Sequence, residues 1–143
     1  SGTLPLPLCI GLGQAFKDLA SYYFAQIRQT RNMLFKSLQT SINGIRLNGP
    51  QLESRHACNL NVFFPSIQNT DLIAALQPNV SVSSGSACGS GNIEPSYVLR
   101  ALPSQTDIGR HSIRMSVSEN TTHEDINEVV RLITQVVKAS TSK

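Results

Sequence analysis

Residues 111–137 read "HSIRMSVSENTTHEDINEVVRLITQVV", and within this one run the hydrophobic period changes. From His111 to Val117 apolar and polar residues alternate, with Ile113, Met115 and Val117 set against Ser112, Arg114 and Ser116. Successive side chains of a strand point to opposite faces, so the pattern predicts a half-buried strand with Ser112, Arg114 and Ser116 outward. Beyond it Ile126, Val129, Val130, Ile133 and Val137 recur at the spacing of one helix face. Thr121 and Glu124 supply a Thr-x-x-Glu capping box to start that helix. A strand with one apolar face followed by an amphipathic helix predicts a sheet with helices laid against it.

The same two periods recur upstream. Cys58, Leu60, Val62 and Phe64 alternate, predicting a second half-buried strand; a short one is expected at Ile45–Leu47, before the turn Asn48-Gly49-Pro50. Val80 and Val82 begin another strand. Asn69–Gln77 reads as a short helix capped by Asn69 or Thr70, and Pro95 suits the first turn of a helix over Pro95–Leu102. Near the start, Leu12, Phe16, Leu19, Tyr23, Ile27, Leu34 and Leu38 stand three, four or seven apart, which predicts one long amphipathic helix from about residue 9 to 40, ended by Asn43 and Gly44. Non-repeating strands among helices of unequal length define an α+β fold, a small sheet packed against helices, in one domain spanning residues 1–143.

Composition bounds the function. The 143 residues are 40% hydrophobic, enough for one core. The 12 basic and 9 acidic residues are scattered, without a basic run or stripe, so nucleic-acid binding is not expected. No apolar run reaches the roughly 18 residues of a membrane span. The opening "SGTLPLPLCIGLG" lacks a basic n-region and is broken by prolines, so it does not read as a signal peptide. The chain begins at Ser1 inside what reads as a loop, and is expected to be a piece of a longer protein. Cys9, Cys58 and Cys88 are odd in number and widely spaced, which argues against a disulfide framework and a zinc site and for a reducing compartment. His56 and His111 have no paired spacing, so no metal site is expected.

One cysteine stands apart. In "SVSSGSACGSGNI" (81–93), eight of thirteen residues are Ser or Gly, so packing does not account for Cys88. Cys58, in phase with the inward strand face, and Cys9, at the helix start, read as small core hydrophobes. A thiol nucleophile needs exposure, a thiolate fraction and room to approach its electrophile, and Gly85, Gly89 and Gly91 would give the loop freedom to swing. A Gly/Ser turn that happens to contain a cysteine is the plainer alternative. A phosphate cradle is disfavoured, because "GSACGSG" lacks the lysine and following hydroxyl of a P-loop.

The run "VSSGSACGSGNIEPSYVLRAL" (82–102) closely resembles the active-site loop of NifS/IscS-like cysteine desulfurases, pyridoxal-phosphate enzymes of the class-V aminotransferase family. The resemblance extends to "SGTLP" (1–5), "HACNLNVFF" (56–64) and "HSIRMSVSENTTHEDI" (111–126), and so covers essentially the whole chain. It implies the C-terminal small domain of an enzyme with the aspartate-aminotransferase-like fold, the long helix 9–40 linking to a large domain absent here. In that family pyridoxal phosphate holds the substrate L-cysteine while the loop cysteine takes its sulfur, leaving L-alanine and an enzyme persulfide for iron–sulfur cluster assembly or thiolation. Cys88 lies at the position of that catalytic cysteine, Arg114 at that of the arginine gripping the substrate carboxylate, and Thr3 at that of a threonine reaching the cofactor phosphate across a homodimer. From its residues alone, Arg114 reads as a solvated charge on an edge strand.

The resemblance also implies a sulfur-acceptor or scaffold protein as partner, and a cytoplasmic location. Its departures are specific. Lys17, Lys36, Lys138 and Lys143 are all helix-surface or terminal positions, so the Schiff-base lysine belongs to the large domain. Gly89 stands where threonine is usual, Pro103 where glycine is common, and, as the sequence stops soon after the last helix, the C-terminal extension that many relatives use to dock the scaffold is not expected. The fragment alone is therefore expected to be inactive. The competing reading is a stand-alone persulfide carrier or interaction module without pyridoxal-phosphate chemistry.

Overall fold

Two antiparallel ladders build the sheet. In the computed structural model, which describes residues 2–19, 24–85, 96–103 and 107–141, strand β1 (Arg46–Leu47) pairs with β2 (Asn59–Phe63), and β2 with β3 (Ser112–Ser116). On the far side of β3, Ser83 forms a single bridge to Arg114: Ser83 N donates to Arg114 O at 3.1 Å, and Arg114 N to Ser83 O at 2.6 Å. The strand expected to begin at Val80 and Val82 is reduced to this bridge.

The alternation holds. Leu60, Val62 and Phe64 from β2 and its end, and Ile113, Met115 and Val117 from β3 and its end, are all buried on one face. Helices α2 (Phe24–Ser41), α3 (Asn69–Leu76) and α5 (His123–Thr141) contribute to the same core, through Ile27, Leu34 and Leu38, through Leu72 and Leu76, and through Ile126, Ile133 and Val137. Each such aliphatic side chain removed from water contributes about 1.5–3 kcal/mol, which fixes the strand register as well as the helix faces. The α+β architecture is the one expected. Gly44 ends the connection from α2 at a φ of +77°, where a Cβ would also stand 3.2 Å from Pro65 Cγ. The helix expected over 95–102 is α4 (Tyr97–Arg100), with Pro95 outside the described residues.

Four expectations need correction. Over the helix expected at 9–40 the described residues are helical, as α1 (Leu6–Leu19) and α2, and residues 20–23, Tyr23 among them, lie outside the described residues. α1 buries none of its residues: Leu12, Phe16 and Leu19 are 61%, 67% and 50% exposed. Cys9, expected in the core, is exposed with them, whereas Cys58 is half-buried against the core. An apolar stripe marks a face suited to burial; it does not say that the covering surface lies in the same chain.

Ser112 is the second correction. It faces away from the helices but is fully buried, because Asn48 Nδ2 donates to its Oγ at 2.8 Å and Asn69 Nδ2 to its carbonyl at 3.1 Å. Third, Asn69 is therefore no cap. The N-cap of α3 is Gln68, without a side-chain cap bond, and the Asn69 amide also donates to Gly109 O at 2.8 Å. Fourth, the capping box of α5 is shifted by one residue: Asp125 N donates to Thr122 Oγ1 at 3.1 Å, and Thr122 N to Asp125 Oδ2 at 2.9 Å. Thr121 Oγ1 instead accepts from Ser118 N.

A charge is buried in the core as well. Arg31 has no exposed surface; its guanidinium donates to Leu52 O at 2.7 Å, His56 O at 3.0 Å and Asn32 Oδ1 at 3.0 Å. Those bonds tie α2 to the segment leading into β2. Burial, and secondarily the neighbouring Arg28, lower its affinity for its proton.

Candidate functional site

The sheet face turned away from the helices carries the site. Across four chain segments, Asn48, Asn61, Arg114 and Ser83 stand in one row: Asn61 is opposite Arg114 in the β2–β3 register, Ser83 bridges Arg114 on its other side, and Asn48 N donates to Asn61 O at 3.0 Å. Arg114 is exposed and sits on an inner strand at this point, not on an edge. Among the described residues its guanidinium has no hydrogen bond and no acidic partner. A planar fork of donors left without a carboxylate suits an external anion, and a carboxylate best of all.

Ser83 also begins the stretch that carries the cysteine. Its Oγ accepts from Gly85 N at 3.0 Å, and Gly85 takes a φ of +79°, a turn that ends the pairing beside Arg114. Cys88 follows three residues later and lies outside the described residues. What the structure places beside Arg114 is thus the anchor of the cysteine stretch. Thr3 is exposed in the segment ahead of α1 and shares no hydrogen bond with the Arg114 row among the described residues. Asn61, Asn48 and Ser83 were not singled out from the sequence, because cross-strand neighbours follow from register and not from spacing along the chain.

Other groups are accounted for locally. His111 Nδ1 lies 2.9 Å from Ile67 O and 3.2 Å from Phe64 O, a structural tie at the entry to β3. His56 and Phe24 meet as a T-shaped pair of rings with centroids 6.0 Å apart, and His56 Nδ1 accepts from Cys58 N at 3.4 Å. An open groove of about 910 Å³ between α2 and the turn before α5 is lined by Arg28, Lys36, Glu119 and His123. Among the described residues no group of His, Cys, Asp and Glu is placed to hold a metal, and no helix is long and apolar enough to cross a membrane. Lys17, Lys36 and Lys138 are exposed on helices. A Schiff-base amine needs shelter from water to lower its pKa, so the described lysines do not fit the anchor of pyridoxal phosphate.

This sheet-and-helix fold and the family comparison agree. The class-V aminotransferase family matches residues 1–129, and the chain belongs to that family. More particularly, it is 40% identical over 141 residues to the cysteine desulfurase IscS of Ehrlichia chaffeensis, covering 96% of this chain and 34% of that protein. It is 41% identical over 136 residues to the IscS of Methylobacillus flagellatus, covering 93% and 33%. The chain thus spans about a third of the length of these relatives. Among solved structures, a NifS-like protein superimposes with a TM-score of 0.78 at 23% identity, over 97% of this chain and 35% of that one. A NifS-like protein from Rickettsia africae gives 0.74 at 21% identity, over 96% and 36%. These two share the fold.

Proposed function

We propose that the chain is the small domain of a cysteine desulfurase that converts L-cysteine to L-alanine and leaves the sulfur as a persulfide on Cys88. The observation that carries the reading is Arg114, an exposed guanidinium without an acidic partner among the described residues, paired with the residue that leads into the Cys88 stretch. Similarity to IscS at about 40% identity supports the same reading. Arg114 would hold the substrate carboxylate by two parallel hydrogen bonds, fixing the direction in which the substrate thiol points.

The reaction balances without an oxidant. Cys88 thiolate attacks the substrate sulfur, an S–S bond forms, the C–S bond breaks, and its electron pair stays on carbon, which takes up a proton. Pyridoxal phosphate, when bound, supplies the electron sink for that pair. Its anchoring lysine belongs to the part of the parent outside this chain, and the exposed apolar face of α1, with Leu12, Phe16 and Leu19, is suited to pack against that part. On the same reading Thr3 contacts the cofactor phosphate across a homodimer, the persulfide passes to an acceptor or scaffold protein for iron–sulfur assembly, and the enzyme works in the reducing cytoplasm.

The test uses the full-length parent. Arg114→Lys keeps the charge and loses the planar fork, so catalytic efficiency toward L-cysteine should fall roughly 10- to 150-fold, the equivalent of one charge-assisted interaction. Transfer of a preformed Cys88 persulfide to an acceptor needs no carboxylate and should be unchanged. Cys88→Ser should abolish alanine formation. Unchanged efficiency in Arg114→Lys removes Arg114 from the site.

A further inference from the structure

We propose that Asn61 is the second donor of the carboxylate site, its Nδ2 binding the same substrate carboxylate as Arg114, with Asn48 setting the direction of the Asn61 amide. The proposal rests on the reading of Arg114 given above and adds to it a specificity residue and a positioning residue.

The backbone brings the two side chains together. Arg114 directs both its N–H and its carbonyl to Ser83, while Asn61 accepts through its carbonyl from Asn48 N on the opposite side. No ladder bond therefore joins Asn61 to Arg114, although they are directly opposite. In such a non-hydrogen-bonded antiparallel pair the Cα atoms approach to about 4.5 Å, and the side chains are the closest of any cross-strand neighbours. Leu60 and Val62 are buried against the helices, so Asn61, half-buried between them in sequence, stands on the same outward face as Arg114.

The amide is oriented. Asn61 Oδ1 accepts from Asn48 Nδ2 at 2.7 Å, which leaves the donor end, Nδ2, on the side away from β1. Turning the amide over would set two NH₂ groups against each other. Asn48 is itself held: its Nδ2 also donates to Ser112 Oγ at 2.8 Å, its carbonyl accepts from Arg55 Nη2 at 2.6 Å, and it is only 7% exposed. Among the described residues Asn61 Nδ2 has no acceptor. A carboxylate taking two bonds from a guanidinium keeps lone pairs for a third donor, and a neutral amide supplies one without adding charge.

The experiment compares L-cysteine with L-cysteine methyl ester, which lacks the anionic carboxylate, in the full-length enzyme carrying its cofactor. Asn61→Ala should lower efficiency toward L-cysteine roughly 10- to 100-fold, chiefly through KM, and leave the ester unchanged. Asn61→Asp sets an anion beside Arg114 and should lower the acid-to-ester ratio further. Asn48→Asp should lower the same ratio, because its carboxylate turns the Asn61 amide over. Cofactor absorbance and transfer of a preformed persulfide check that each variant is folded. An unchanged ratio in Asn61→Ala beside a lowered ratio in Arg114→Lys overturns the role of Asn61 and leaves that of Arg114. Equal losses with acid and ester in Asn61→Ala overturn it too, and unchanged ratios in both variants remove the whole carboxylate site.

Discussion

Replacing Arg31 by Met keeps most of the side-chain volume and removes the fork. The guanidinium now serves Leu52 O and His56 O, and Arg31 is fully buried. Each carbonyl left without a donor costs about 1–3 kcal/mol, so the two together cost about 2–6 kcal/mol. An opposing effect comes from the cation, whose burial has an effective penalty of several kcal/mol that methionine does not carry. The carbonyls cannot be substituted away, and both bonds are only partly shielded, so water recovers some of the deficit. The net expectation is a loss of about 1–3 kcal/mol, comparable to one buried carbonyl left without a donor. Urea unfolding of the chain, followed by far-ultraviolet circular dichroism, measures it. Arg31→Lys should fall between, since one ammonium reaches two carbonyls less well than a planar fork. A methionine variant as stable as the parent would show that the bonds do no more than offset desolvation, and would refute the reasoning.

Two further predictions concern the surface. Thr122→Ala should cost α5 about 1 kcal/mol as a lost N-cap. The cap also holds the Asp125 carboxyl below its usual range, through the backbone and then the side chain of Thr122. Because the folded value is the depressed one, this stabilisation is complete above the ordinary carboxylate range near pH 3.9 and is lost as pH falls through the folded value; in Thr122→Ala the Asp125 titration, followed by NMR, should return only part of the way toward the ordinary midpoint, because the larger contribution, from the Thr122 backbone N–H, is retained. Limiting alkylation of this chain should modify exposed Cys9 ahead of half-buried Cys58, and similar rates for the two would contradict the burial difference.

Where the sequence misled, a second element was involved. The stripe Ile27, Leu34 and Leu38 skips six residues after Ile27, and inside that gap Arg31 is fully buried beside buried Thr30. A long polar side chain on an apolar stripe is the available signal, but only the approach of Leu52 and His56 explains it. Asn69 and Thr121 are both good capping residues by type. Each found a different partner, Ser112 and Gly109 for one and Ser118 for the other, and the caps moved by a residue. The strand faces were legible because alternation depends only on the backbone, and burial of Leu60, Val62, Ile113 and Met115 follows it directly. α1 is apolar yet uncovered among the described residues, so its periodicity gave no guide to its burial.

Arg114 shows why the site was only half legible. Its outward phase follows from alternation, yet the same phase describes any solvated strand charge. What distinguishes the two is the surrounding grid. Asn61 and Ser83 stand opposite Arg114, Asn59 and Phe63 are its diagonal neighbours on β2, and Ser112 and Ser116 are the next residues along its own face. None of these carries a charge. Cross-strand pairing normally sets a cation against a carboxylate, a gain of roughly 0.2–1 kcal/mol that a structural arginine would be placed to use. Apart from Phe63, the guanidinium is surrounded by hydroxyls and amides that can share an acceptor with it but cannot neutralise it. A solvated charge would tolerate any polar neighbour, including an acid. A carboxylate site tolerates no acid within reach, so introducing one at Asn61 tests the grid itself: it should weaken binding of an anionic substrate while making β2 and β3 pair more firmly.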